Sequence, residues 1–376
     1  MNSRPPPISA YAAGSFASFT VRERLPRILE GVQGQLGADP RWQALRDGVV
    51  SGGALDLRLF AAETAYWRYK LATLAGKTWR EQSFFELEFL FYLAVRSIAD
   101  DLRPGFDVFA AQRREALAQA LPDVARKVEA ADVQDLQTAV LLALIGNEAD
   151  LSQLGSAAQS SISRDERPAL LERLRSSDGS APVHVLADNA GSELCFDLVL
   201  ADALLAARSG AVVMHLKPRP MFVSDALPAD VDESIAGFER LAPRTELKQI
   251  GERLRAALRD GRLVLCAPLD WAEPRHMNAL EAELSASLSA AALVLAKGDL
   301  NYRRFFEDRA WPPDTPIALA SVASGMHAFA LRVLKSDVIA GLDTTHVSHL
   351  FAVDACWRSN GTRSIVQRVD RGAPQY

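Results

Sequence analysis

Four oxygen-bearing side chains stand where short apolar runs end. Asp188 and Asn189 follow VHVLA, Asp225 lies in KPRPMFVSDA after AVVMHL, and Asp299 lies in KGDLNYRR after AALVLA. In open α/β sheets the carboxyl ends of the strands are where ligands bind, because helix N-termini converge there. Three carboxylates and one amide oxygen at one edge would repel unless a cation neutralised them. Oxygen-only donors suit a hard divalent ion, Mg²⁺ or Mn²⁺, better than zinc. Lys217, Arg303, Arg304 and Lys335 fall near the same edge in the chain. Cations beside a metal are what a phosphate monoester needs: Arg offers a planar fork and Lys a point charge.

Taken singly, each residue has a plainer use. An Asp-Asn pair before Gly serves as a helix cap or turn, Asp225 can cap the next helix, and Asp299 can end a strand. His184 and His215 sit in or at the end of strands and read as core residues rather than catalysts. Ser192 lacks an elbow pattern and a His partner. No GxGxxG or GxxxxGK[ST] occurs, so neither a dinucleotide nor a P-loop site is indicated.

The elements that must position these residues follow from periodicity. From about Thr20 to Ser176 apolar residues recur at three- and four-residue steps, as in RERLPRILEGVQGQL, LRLFAAETAYWRYKLATLA and FFELEFLFYLAVRSIADDL. From Val183 onward VHVLA, AVVMHL, RLVLCAP, AALVLA and PIALAS alternate with amphipathic stretches, which implies βα units and a mostly parallel sheet. The expected division is a helical N-terminal domain over 1–178 and an α/β metal-binding catalytic domain over 179–376.

A chain of 376 residues, 49 % hydrophobic and 24 % charged, has ordinary globular composition. Its net charge of −5 supplies no bulk attraction to nucleic acid or to an anionic membrane, and neither is expected as a partner. Cys195, Cys266 and Cys356 form neither a disulfide framework nor a zinc signature and are expected as reduced, buried thiols. The N-terminus carries no signal-peptide pattern, and every apolar stretch is short or interrupted by charge. A cytoplasmic location is expected.

Several motifs in order give the chain a wider likeness. ADNAGSELCFDL, IGNEADLSQLG (Ile145 to Gly155), PMFVSDA and GDLNYRRFFEDRAW resemble the damage-control phosphatase family, also called domain of unknown function 89 or the acidic-residue methyltransferase-like family. GSFASFTVRERLPRIL, FFELEFLFY with Glu88, Phe91 and Tyr92, LRVLKSDVIAGL and WRSNGTRSIVQ extend the likeness from about Ser15 to Gln367, toward the sugar-phosphate phosphatase branch. The resemblance implies a helical N-terminal domain on a Rossmann-like sheet sandwiched by helices. It implies metal-dependent hydrolysis of phosphorylated metabolites, among them ketose and hexose phosphates. It assigns the metal to Asp188, Asn189 and Asp225, with Mn²⁺ or Mg²⁺ expected and Co²⁺ or Ni²⁺ as alternatives. Glu193 and the segment Asp299, Leu300, Asn301, Tyr302, Arg303 would face the substrate, and Lys335 would hold phosphate. Two departures bear on the pocket: Val333 replaces a hydroxyl or thiol residue, and Leu93 and Ala94 stand where relatives carry Arg.

The expected reaction is phosphomonoester hydrolysis, with a metal-activated water as nucleophile or, alternatively, direct attack by Asp188. Two rivals accompany it: an S-adenosylmethionine-dependent carboxyl methyltransferase, and a non-catalytic binding protein on the same fold.

Overall fold

The computed structural model describes residues 4–145 and 162–371. Its centre is a seven-stranded sheet in the order β1-β7-β6-β5-β2-β3-β4. The strands are β1 Ile162–Asp165, β2 Val183–Leu186, β3 Val212–His215, β4 Leu263–Cys266, β5 Leu293–Lys297, β6 Ala328–Val333 and β7 Ser364–Arg368. β2 to β6 run parallel, while β7 runs antiparallel to β6 and carries β1 parallel to itself on the edge.

Both faces of the sheet are covered, as the apolar strands require. Along β5, Val294 and Ala296 join one core while Leu293 and Leu295 join the other. The first core takes the helices Leu25–Leu36, Pro40–Ser51 and Phe84–Leu102, whose buried side chains include Trp42, Phe85 and Phe89. Ser83 caps the last of these by accepting from the Glu86 amide. The second core holds Ala110–Glu129, Leu136–Ile145, Arg167–Ser176 and the buried helix Ser192–Ala207. The sheet and its cover thus draw on chain from both sides of residue 178, with β1 supplied from before it.

Two expectations about elements fail. PIALAS is a single helical turn, Ile317–Ala320, because Pro316 sets its start; the strand is AFALRV, Ala328–Val333. LRLFAAETAYWRYKLATLA is interrupted: Leu57–Leu59 is a short 3₁₀ turn, and Thr64 starts the helix Ala65–Thr73 by accepting from the Trp67 amide. Of the three free thiols only Cys195 is buried; Cys266 is half-buried and Cys356 is exposed. Among the described residues no helix is long and apolar enough to cross a membrane.

Candidate active site

β2 leads on to β3 on one side while its other neighbour, β5, leads on to β6 on the opposite side, so the connections leave the β2–β5 pair in opposite directions. A crevice opens at the carboxyl ends of such a strand pair, because the chain turns away from it on both sides. Asp188 and Asn189 leave β2 at that point, Gly298 and Asp299 leave β5, and Lys335 follows β6. Asp188, Asn189, Glu193, Lys297, Asp299 and Lys335 line one cleft, against apolar walls that include Phe196, Leu331 and Val333.

Backbone pairing brings Asp225 into the same place. Asn189 and Asp225 face each other in an isolated antiparallel bridge. The Ala190 amide donates to Ser224 O at 2.7 Å and the Ala226 amide to Asp188 O at 2.9 Å, so the facing pair is the non-hydrogen-bonded kind, whose side chains lie closest. Neither Asp188 nor Asn189 caps the following helix: its N-cap is Gly191, with φ +77 and no side-chain cap. Leu227 is the N-cap of the helix Pro228–Glu239, which frees Asp225 from that task too.

Gly298 permits the close approach of the two strand ends. Its φ is +73, and a Cβ there would fall 1.8 Å from Asp188 Oδ2. A side chain at this position would displace the Asp188 carboxylate.

The electrostatics are crowded. Burial, then Glu193 and Asp225, push the Asp188 carboxyl well above its ordinary value. Asp225 is raised by burial against the pull of Lys217, whose Nζ lies 3.2 Å from Asp225 Oδ2. Among the described residues this buried oxygen has that ion pair and no hydrogen bond of acceptable geometry. Asn189 Nδ2 donates to Asp188 Oδ2 at 3.1 Å and to Glu193 Oε2 at 3.0 Å, and its Oδ1 accepts from Ser224 Oγ at 2.6 Å. Repelling carboxylates, an underbonded carboxylate oxygen and an amide oxygen suit a hard divalent cation. Among the described residues no three His, Cys, Asp or Glu side chains are grouped to hold a metal by themselves, so such an ion would need the Asn189 amide. Turning the Asn189 carboxamide over would bring Oδ1 to the carboxylates, and Ser224 tolerates that, because its hydroxyl can accept from Nδ2 as well as donate to Oδ1.

The residues expected at the substrate divide. Asp299 and Glu193 line the cleft, and Asp299 Oδ1 also takes Arg332 at 2.7 Å and Ser336 Oγ at 2.9 Å. Leu300, Asn301, Tyr302 and Arg303 are buried, and none of them lines it. Asn301 Nδ2 bonds the carbonyls of Leu186, Ala187 and Lys297, tying β2 to β5 beneath the site. Tyr302 bonds Gln367, and Arg303 lies between Glu88 at 2.7 Å and Asp308 at 2.6 Å. The short helix Gly298–Phe305 that carries them is buried on most sides, so these residues brace the cleft from within the core. Arg304 is likewise sealed in, on the carbonyls of Trp271, Glu273 and Arg275. All but the first residue of the Ile145 to Gly155 motif lies outside the described residues.

Lys297 and Asp197 were not singled out by their sequence context. Lys297 Nζ contacts Asp197 Oδ1 at 3.0 Å, Glu193 Oε1 at 3.5 Å and Ala143 O at 2.5 Å. Asp197 lies four residues after Glu193 on one helix, a spacing that shares a face, and this was the available signal.

The comparisons with known proteins agree with this architecture. The family model of the damage-control phosphatase ARMT1-like domain matches residues 20–350. The chain is 26 % identical to damage-control phosphatase ARMT1 of Xenopus laevis, over 96 % of this chain and 98 % of that protein, and 25 % identical to the Homo sapiens protein at the same coverage. In fold it resembles the crystal structure of a DUF89 family protein from Pyrococcus horikoshii, with TM-score 0.51 and 15 % identity over 93 % of this chain and 96 % of that one. With most of its length matched by that family model, the chain belongs to the ARMT1-like damage-control phosphatase family.

Proposed function

We propose that this chain is a metal-dependent phosphatase hydrolysing phosphomonoesters of small metabolites, either sugar phosphates or damaged phosphometabolites. The observation that carries the reading is the meeting of Asp188, Asn189 and Asp225 at the switch point of the sheet, with Lys335 on the same cleft. Mn²⁺ or Mg²⁺ would be held by Asp188, Asn189 and Asp225, with Co²⁺ or Ni²⁺ as substitutes. When bound, such an ion supplies Lewis acidity and a nucleophile at neutral pH.

The chain's own residues do the rest. The Lys335 ammonium, on the segment after β6, meets the anionic phosphate and takes up charge on its outer oxygens as the ester bond breaks. Asp188 Oδ2 packs on Gly298 and accepts from Asn189, an arrangement that suits a ligand better than a nucleophile, so water is the attacking group. The wall of Phe196, Leu331 and Val333 limits water around the phosphate and strengthens the charge interactions there.

The test is release of inorganic phosphate from a panel of sugar phosphates and phosphorylated metabolites, with Mn²⁺, Mg²⁺, Co²⁺ or Ni²⁺. Asp188→Ala and Asp225→Ala are expected to lower turnover by about a thousandfold or more, while circular dichroism reports an intact fold. Full activity in either variant overturns the assignment.

A further inference from the structure

A second cavity, of about 370 Å³, opens between the helix Phe84–Leu102, the loop 103–109 and Arg219–Pro220. It shares no lining residue with the Asp188 cleft. Its floor is apolar, built from Tyr92, Val95, Ala99, Phe106 and Phe109, with the rings of Tyr92 and Phe109 edge to face at 6.1 Å. One wall carries two guanidinium groups, Arg96 and Arg219, and both are directed at the same oxygen, Glu63 Oε2. A single carboxylate cannot neutralise two guanidinium groups or occupy their many donors. Among the described residues the buried Nε–H of Arg96 has no acceptor. Burial, reinforced by repulsion from Arg219 and only partly offset by Glu63 and the rim carboxylate Asp100, holds Arg96 below its ordinary pKa. Asp107 is engaged by Arg113, and Asp100 stands exposed at the rim, where it accepts from the Gly105 amide.

We propose that this cavity binds a small amphipathic carboxylate, with its anionic head between Arg96 and Arg219 and its apolar body on the Tyr92, Phe106 and Phe109 floor. Guanidinium forks match a carboxylate's two oxygens, and a cavity of this size with an apolar base accommodates one ring. Arg219 and Pro220 belong to the loop that runs from Lys217 to Asp225, so the ligand would rest one loop away from the candidate active site.

The experiment is calorimetric titration of the full chain with benzoate, using benzamide as the uncharged probe of the same shape. Benzoate is expected to bind saturably and benzamide at least tenfold more weakly. Arg96→Gln is expected to weaken benzoate about tenfold, and Glu63→Gln, by releasing both guanidinium groups, to tighten it about threefold or more. Arg219→Gln, on a half-exposed side chain, repeats the loss if Arg96→Gln fails to fold. Asp188→Ala, in the other cleft, leaves the affinity unchanged. No saturable binding, equal affinity for benzamide, indifference to the Arg96 and Glu63 changes, or loss of binding in Asp188→Ala would each overturn the proposal.

Discussion

Lys297 Nζ donates to Ala143 O and Glu193 Oε1 and forms an ion pair with Asp197, so its work is to place other groups. Burial pulls its pKa down, but Asp197 and Glu193 more than restore it, and the ammonium stays charged. Asp197 has no exposure and, among the described residues, no other ion-pair partner. Lys297→Met therefore strands a buried carboxylate and is expected to cost about 3 to 5 kcal/mol in urea unfolding. The double variant Lys297→Met, Asp197→Leu removes both charges and should recover most of that stability. Its turnover should stay low, because Glu193 has lost the anchor that faces it to Asn189. Wild-type turnover in the double variant would reduce Lys297 to a neutraliser of Asp197. Asp188, Asn189 and Asp225 were legible in the sequence because a strand must end in a turn, and polar residues at a parallel-strand end face the ligand edge. Lys297 was not, since a lysine closing an apolar run reads equally as a solvated strand end. Asp197 left only its four-residue spacing from Glu193 as a signal, in an otherwise largely apolar helix.

Elements carry the next level of positioning, and the loop holding Asp225 is pinned from the N-terminal side of the chain. Arg113, on the helix Ala110–Glu129, reaches Asp230 at 3.0 Å and Asp107 at 2.5 Å, with only 5 % of its side chain exposed. Asp230 in turn accepts from the Leu227 amide at 2.8 Å, which fixes the start of the helix immediately after Asp225. Phe222, in the same loop, is held at φ +48, a strained value for a bulky side chain, by packing on Tyr92 at 4.6 Å. Arg113→Met is expected to destabilise the fold by about 3 kcal/mol and to speed amide exchange at Ala226 and Leu227 well before global unfolding. Unchanged exchange at those two amides would mean that Asp225 is positioned without Arg113. The sequence announced the parallel strands β2 to β5 through their apolar runs but hid β6. Arg332 interrupts AFALRV, and only tertiary contact with Asp299, Ser336 and the Val338 carbonyl makes a buried arginine tolerable there. PIALAS misled for the opposite reason: an apolar run of that length fits a strand or a helical turn equally, and the proline decided it.

Across the whole molecule, the sheet is cross-linked by a hydrogen-bonded line that acid should break. His184 on β2 and His215 on β3 stack, with His184 Nδ1 and His215 Nε2 2.7 Å apart, and Trp271 Nε1–H donates to His215 Nδ1 at 3.1 Å. An indole nitrogen can only donate, so His215 must carry its proton on Nε2 and give it to His184 Nδ1. Both rings are therefore neutral in the fold. Burial lowers His184 to about 4, and burial with the neighbouring His184 lowers His215 to about 3. Both folded values lie below the unfolded value of about 6.5, so the unfolded chain binds more protons between them. Their contribution is complete above about pH 6.5 and is lost as the pH falls toward 4 and then 3. At pH 5 each ring is expected to cost about 2 kcal/mol of stability relative to pH 7. Urea midpoints of the wild type should fall over that interval, and His184→Gln, which cannot take up a proton, should flatten the slope by about half. An equally steep slope in that variant would assign the acid sensitivity to other groups and leave the line across β2, β3 and Trp271 with a purely packing role.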